Sequence, residues 1–250
     1  MSGLPAITGW QWLRQGAGLF GRQPGGLTVL LFANILLSLT ISSLPWIGPL
    51  VAVVLIPSFS MAFMQACLMI DNGERVTLRV LLTGFRKPQV LTLVKVGLVY
   101  LGVSLLLALL ARGMIDEAFW QQVANAQGDP GKVQVEASDM LAMFGVFVLD
   151  LLALTSLAFA APLAYWQQMT AGKATFYSFF AVLKSARVFA MLLLGWFGLF
   201  FTLCFIVALM FGPVNIARVI IMWLIFLFVL LLQCAVYVGY RQIFGKPAQG

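Results

Sequence analysis

Six stretches of predominantly apolar residues dominate this chain. Each is close to the length of about 20 residues that an α-helix needs to cross a bilayer core. They run over 27–44, 50–70, 90–111, 140–161, 188–211 and 219–237. Only a short turn holding Pro45, Trp46, Gly48 and Pro49 separates the first two, which predicts a tight helical hairpin. The first run starts too far from Met1 to read as a cleaved signal peptide, and no small-residue cleavage pattern follows it. Of the 250 residues, 62% are hydrophobic and 9% are charged. An ordinary soluble domain carries about 25% charged residues, so the polar surface that water requires is missing here. The expected fold is therefore an all-α polytopic membrane helix bundle, a single integral membrane domain over 1–250.

The charges orient the bundle. Arg14 and Arg22 precede the first span, and Arg75, Arg79, Arg86, Lys87 and Lys95 surround the entry to the third. Lys173, Lys184 and Arg187 precede the fifth, and Arg241 and Lys246 follow the sixth. Arg112, Lys132 and Arg218 lie on the opposite side. The positive-inside rule then places both termini in the cytoplasm, which an even number of spans also requires. The loop 112–139 is expected outside, with Asp129, Pro130 and Gly131 as a turn, Ser138 or Asp139 capping the fourth span, and a short interfacial helix from Glu117. The net charge of +7 is scattered through short connections, so it reads as topology and excludes a nucleic-acid partner.

A repeat underlies the pattern. Basic amphipathic stretches over 8–24, 77–88 and 175–187 each introduce an odd-numbered span. In the first, a surface helix over 8–22, residues Trp10, Leu13, Ala17 and Phe20 fall on one helical face, the arrangement of a helix lying at the headgroups. The chain thus reads as three hairpins, each preceded by an interfacial amphipathic helix. Pro24 and Pro88 mark two passages from surface to span, and Val188 replaces the third proline.

Five intramembrane residues stand out as functional candidates: Asp150, Lys95, Asn34, Gln65 and Gln233. An isolated charge at the depth of Asp150 costs about 2.5–3.5 kcal/mol on insertion scales. It reads either as a proton relay or cation site, or as one interhelical hydrogen bond. Lys95 is expected to snorkel to the headgroups. The amides are expected to be packing glue, unless they join Asp150 around a polar cavity. Gly97, Gly102, Gly195 and Gly198 should permit close helix approach, and Pro57 and Pro162 should kink or end their helices. Histidine is absent, and Cys67, Cys204 and Cys234 lie in apolar runs without ligand spacing. No catalytic, cofactor or metal motif is present, so no cofactor and no enzymatic activity are expected.

Four segments carry a resemblance: 9–13 (Gly-Trp-Gln-Trp-Leu), 23–26 (Gln-Pro-Gly-Gly), 44–49 (Leu-Pro-Trp-Ile-Gly-Pro) and 237–244 (Tyr-Val-Gly-Tyr-Arg-Gln-Ile-Phe). With them the chain resembles a group of uncharacterised proteobacterial multi-pass inner-membrane proteins. These are distantly similar to the membrane domain attached to some glycerophosphodiester phosphodiesterases. The resemblance implies the bacterial inner membrane and supplies no catalytic residue. Two functions are then expected: a non-enzymatic envelope role, binding membrane lipids, a membrane-protein partner or a second copy; alternatively, a small transporter or channel using Asp150.

Overall fold

A computed structural model describes residues 4–86, 89–125, 136–212 and 214–247. Lys87, Pro88, Lys132 and the expected turn at 129–131 lie outside the described residues. The helices are α1 (Thr8–Arg22), α2 (Pro24–Ser42), α3 (Gly48–Asp71), α4 (Gln89–Met114) and α5 (Glu117–Asn125). Then follow α6 (Ala137–Ser156), α7 (Ala160–Trp166), α8 (Ala171–Lys184), α9 (Ala186–Phe211) and α10 (Asn215–Phe244). A 3₁₀ segment spans Leu78–Phe85 between α3 and α4. There is no strand among the described residues. Six helical stretches are long and apolar enough to cross a membrane: α2, α3, α4, α6 together with α7, α9 and α10.

Helix α3 is the centre of the bundle. Over its most apolar window 61% of residues are buried, against 6% for the α6–α7 span and for α9. It packs on α2, α4, α7, α10 and the 3₁₀ segment. Gly97 of α4 makes one of these crossings close, since a Cβ there would fall 1.9 Å from the Val54 carbonyl oxygen. Gly195 packs on the Trp10 ring, whereas Gly102 and Gly198 face open space. Pro57 lies within α3 without ending it. At the far end of α3, Gly73 takes φ +80° and the Glu74 N–H reaches the Met69 carbonyl at 2.9 Å. This left-handed closure satisfies the final carbonyls.

Three details depart from expectation. First, the buried face of α1 is Gly9, Trp12, Leu13, Gly16 and Leu19, while Trp10 and Ala17 are exposed. The buried face shares Leu13 with the expected one but is rotated from it, because two glycines carry the closest contacts. A Cβ on Gly9 would lie 2.2 Å from the Val188 oxygen, and one on Gly16 would lie 2.7 Å from the Ala235 nitrogen. Second, the stretch before α4 is 3₁₀ rather than α-helical, and its Gly84 is pressed against the backbone of Ser58. Third, Glu136 rather than Ser138 or Asp139 precedes α6. Asp139 is buried and accepts the Asp116 backbone N–H at 3.1 Å, tying α6 to the start of α5.

The fourth span is broken inside the bundle. Proline has no N–H and clashes with the carbonyl four residues earlier, so Pro162 forces an interruption upstream. The break falls at Leu157–Phe159, between α6 and α7. Ser178 of α8 bridges it: its hydroxyl donates to the Ser156 carbonyl at 2.7 Å and accepts the Phe159 N–H at 3.1 Å. The Tyr100 hydroxyl donates to the Leu157 carbonyl at 2.9 Å. Non-helical backbone inside an apolar bundle persists only where such partners are supplied.

Candidate functional site

The five intramembrane candidates occupy separate places. Asp150 lies in a groove between α4 and α6, and Lys95 is exposed on the surface of α4. Neither has an ion pair among the described residues, and they do not pair with each other. Asn34 is half-buried on α2, and its side-chain oxygen is buried without a hydrogen-bond partner. Gln65 accepts the Trp166 indole N–H at 3.1 Å, joining α3 to α7. Gln233 lines a third place, a cavity of about 270 Å³ with Ile56, Ser60, Tyr100, Thr155 and Leu192. Asp150, Gln65 and Gln233 line three different concavities, so the polar cavity expected to gather them is not formed among the described residues.

At one end of the bundle a charged clamp closes the fold. Asp71, the last residue of α3, receives Arg241 at 2.7 Å, Lys246 at 3.2 Å and the Tyr237 hydroxyl at 3.2 Å. Arg241 also donates to Gln15 of α1 at 3.2 Å. The Trp12 indole donates to Gln242, and its ring lies against Gly239, where a Cβ would come within 2.9 Å. The Gln23 side chain donates to the Glu74 carbonyl at 2.6 Å and accepts the Val76 N–H at 2.9 Å. The segments 9–13, 23–26 and 237–244 are therefore one structural feature. They are the interlocking parts that seat α1 on α9 and α10 and fix the exit from α3. Nearby, the buried Cys67 and Cys234 thiols meet at 3.6 Å as a hydrogen-bonded pair, a contact that sequence spacing does not show.

Beside the clamp lies a polar cleft of about 480 Å³. The end of α3 contributes Gln65, Met69 and Asn72, and the following turn contributes Glu74. Thr83 and Arg86 come from the 3₁₀ segment and its exit, and Gln89 opens α4. Tyr165, Trp166 and Gln168 close the other wall. Gln168 holds φ at +50°, a left-handed conformation that costs a non-glycine residue energy and clusters at functional sites. The break in the fourth span is what brings this wall into place: α7 leaves the line of α6 and delivers residues 165–168 to α3. Of the cleft residues, sequence reasoning singled out only Gln65. The others sit in connections whose polarity looks like ordinary loop composition.

The cleft offers one guanidinium, one carboxylate and several amides around an open space, with two aromatic rings at its edge. That set suits a headgroup carrying phosphate and hydrogen-bonding groups. No cluster of metal-ligating side chains is found among the described residues.

No family model matches the chain, and no solved structure matches it. A relative in Burkholderia thailandensis, described as a probable inner membrane protein, is 29% identical over 258 residues. The match covers 98% of this chain and 94% of that relative. No link to glycerophosphodiester phosphodiesterases emerges from these comparisons. Six apolar helices in a chain similar along nearly its whole length to a protein so described fit an integral membrane protein.

Proposed function

We propose that the protein is a non-enzymatic component of the bacterial inner membrane that binds phospholipid headgroups in the polar cleft beside α3. The carrying observation is the cleft itself, about 480 Å³ in volume and furnished with Arg86, Asn72, Gln65, Gln89 and Gln168. Similarity to the Burkholderia relative, a probable inner membrane protein, supports the choice of membrane. Both termini and the cleft face the cytoplasm in this reading, because twelve of the fifteen basic residues flank that side. The chain is three units, each a surface segment and a hairpin. Helix α8 supports this, since it exposes Phe176, Tyr177, Phe179, Phe180 and Leu183 beside Lys173 and Lys184. Aromatic and basic residues together are the signature of a helix seated at the headgroups.

The transport reading draws less support, because its polar side chains are dispersed rather than gathered along one path. The lipid reading is tested by native mass spectrometry of protein released from nanodiscs of mixed phospholipids. The expected result is retained phospholipid, reduced at least fivefold by Arg86→Gln. Lipid retained equally by the variant, or a second protein copy retained in its place, would transfer the function to a protein partner.

A further inference from the structure

The groove that holds Asp150 lies apart from the cleft and has its own chemistry. It measures about 410 Å³ and runs between α4 (Ser104, Ala108, Ala111) and α6 (Val146, Phe147, Asp150), with Trp120 of α5 at one end. Asp150 stands about 20 Å along α6 from Ala137, at the ordinary helical rise. Opposite it, Ser104 is about 15 Å from Met114 at the end of α4. The carboxyl group is therefore deep in the hydrocarbon, half-exposed to the groove, and without a hydrogen bond or ion pair among the described residues. Apart from Ser104, the walls around the carboxyl group are apolar, and the small side chains of Ala108 and Ala111 keep the groove open on α4.

A half-exposed carboxylate without a donor, set in largely apolar walls, describes the complement of one kind of molecule. It carries positive charge at one end and an apolar body. An intramembrane carboxylate is costly alone and is relieved by a cation held against it. A strongly hydrated metal ion would find too few oxygen ligands here. We propose that the α4–α6 groove binds a hydrophobic organic cation, which enters from the lipid and sets its charge against Asp150. The site is independent of the headgroup cleft.

The test uses the full chain in nanodiscs of zwitterionic lipid, with rhodamine 6G as probe, a permanent cation with an apolar aromatic body. Fluorescence polarisation, corrected against empty nanodiscs, should show saturable binding. Asp150→Asn should weaken it at least tenfold, and Asp150→Glu should stay within threefold of the parent. Ala108→Trp, which fills the groove and leaves Asp150 in place, should abolish it even if Asp150→Asn fails to fold. Arg86→Gln should leave it unchanged, which separates this site from the lipid reading. Absence of saturable binding in the parent protein overturns the proposal. Parent-like affinity in Ala108→Trp, or in a folded Asp150→Asn, does so equally.

Discussion

Gly16 and Gly18 lie two residues apart on α1, yet they have opposite surroundings. Gly16 meets the backbone of Ala235, whereas Gly18 has nothing within 4 Å. A glycine inside a helix costs roughly 0.5–1 kcal/mol relative to alanine, so Gly18→Ala should stabilise by about that amount. Gly16→Ala should instead destabilise by about 1–3 kcal/mol, because overpacking forces α1 away from α10. Thermal unfolding in detergent would read both, and a shared sign would show that α1 is not seated as described. Asp71 gives a second prediction at this scale. It is 11% exposed and collects two cations and a phenol, and hydrogen bonds to charged groups are each worth about 1.5–3 kcal/mol. Asp71→Asn should lower stability by roughly that of one such bond and loosen the end of α10, seen as faster hydrogen exchange at residues 241–244. Lys95→Gln, on the exposed face of α4, should leave stability within about 0.5 kcal/mol of the parent. Neither the seating of Gly16 nor the clamp at Asp71 is legible in the sequence. Both depend on residues more than 150 positions away.

The fourth span shows how an element can look continuous and be broken. Its hydropathy runs unbroken from Ala137 to Trp166. Pro162 announces an interruption but does not say where the freed backbone groups go. Ser178 answers from a different helix, and it is fully buried between them. Ser178→Ala would leave the Phe159 N–H without a partner, at a cost of about 1–3 kcal/mol. The consequence should extend to the cleft: if α7 shifts, the Trp166–Gln65 hydrogen bond loosens. Red-shifted tryptophan emission in Ser178→Ala, absent from Ser178→Thr, would register the movement. No spectral change on Ser178→Ala would mean that α7 holds its place without the bridge. The first amphipathic segment teaches the complementary lesson. Its length was visible in the pattern of apolar residues, but its buried face was not, since glycines carry no hydrophobicity and yet made the nearest contacts.

At the scale of the molecule, the arrangement should be two-sided. In a cysteine-free background, a membrane-impermeant maleimide applied to intact cells should label cysteine placed at Asn125 and spare cysteine placed at Gly172. The reverse pattern would invert the bundle and move the polar cleft to the outer face. The number of apolar helices and the expected basic side can be read from the chain alone, because both are local sums: about twenty apolar residues suffice to cross a bilayer, and bases favour one side. Which helix becomes the centre is not a local sum. α3 and the α6–α7 span are close in mean hydropathy, 2.0 against 2.2, yet 61% of the α3 window is buried and only 6% of the other. Lipid and protein interior are equally apolar solvents, so hydropathy cannot separate a helix that faces one from a helix that faces the other. Small residues, a proline break and a few long-range hydrogen bonds make that choice, and only the folded chain brings them together. The six apolar stretches thus determined that this protein spans a membrane. Tertiary packing decided that its polar groups would be divided between a cleft at one end and a groove at mid-depth.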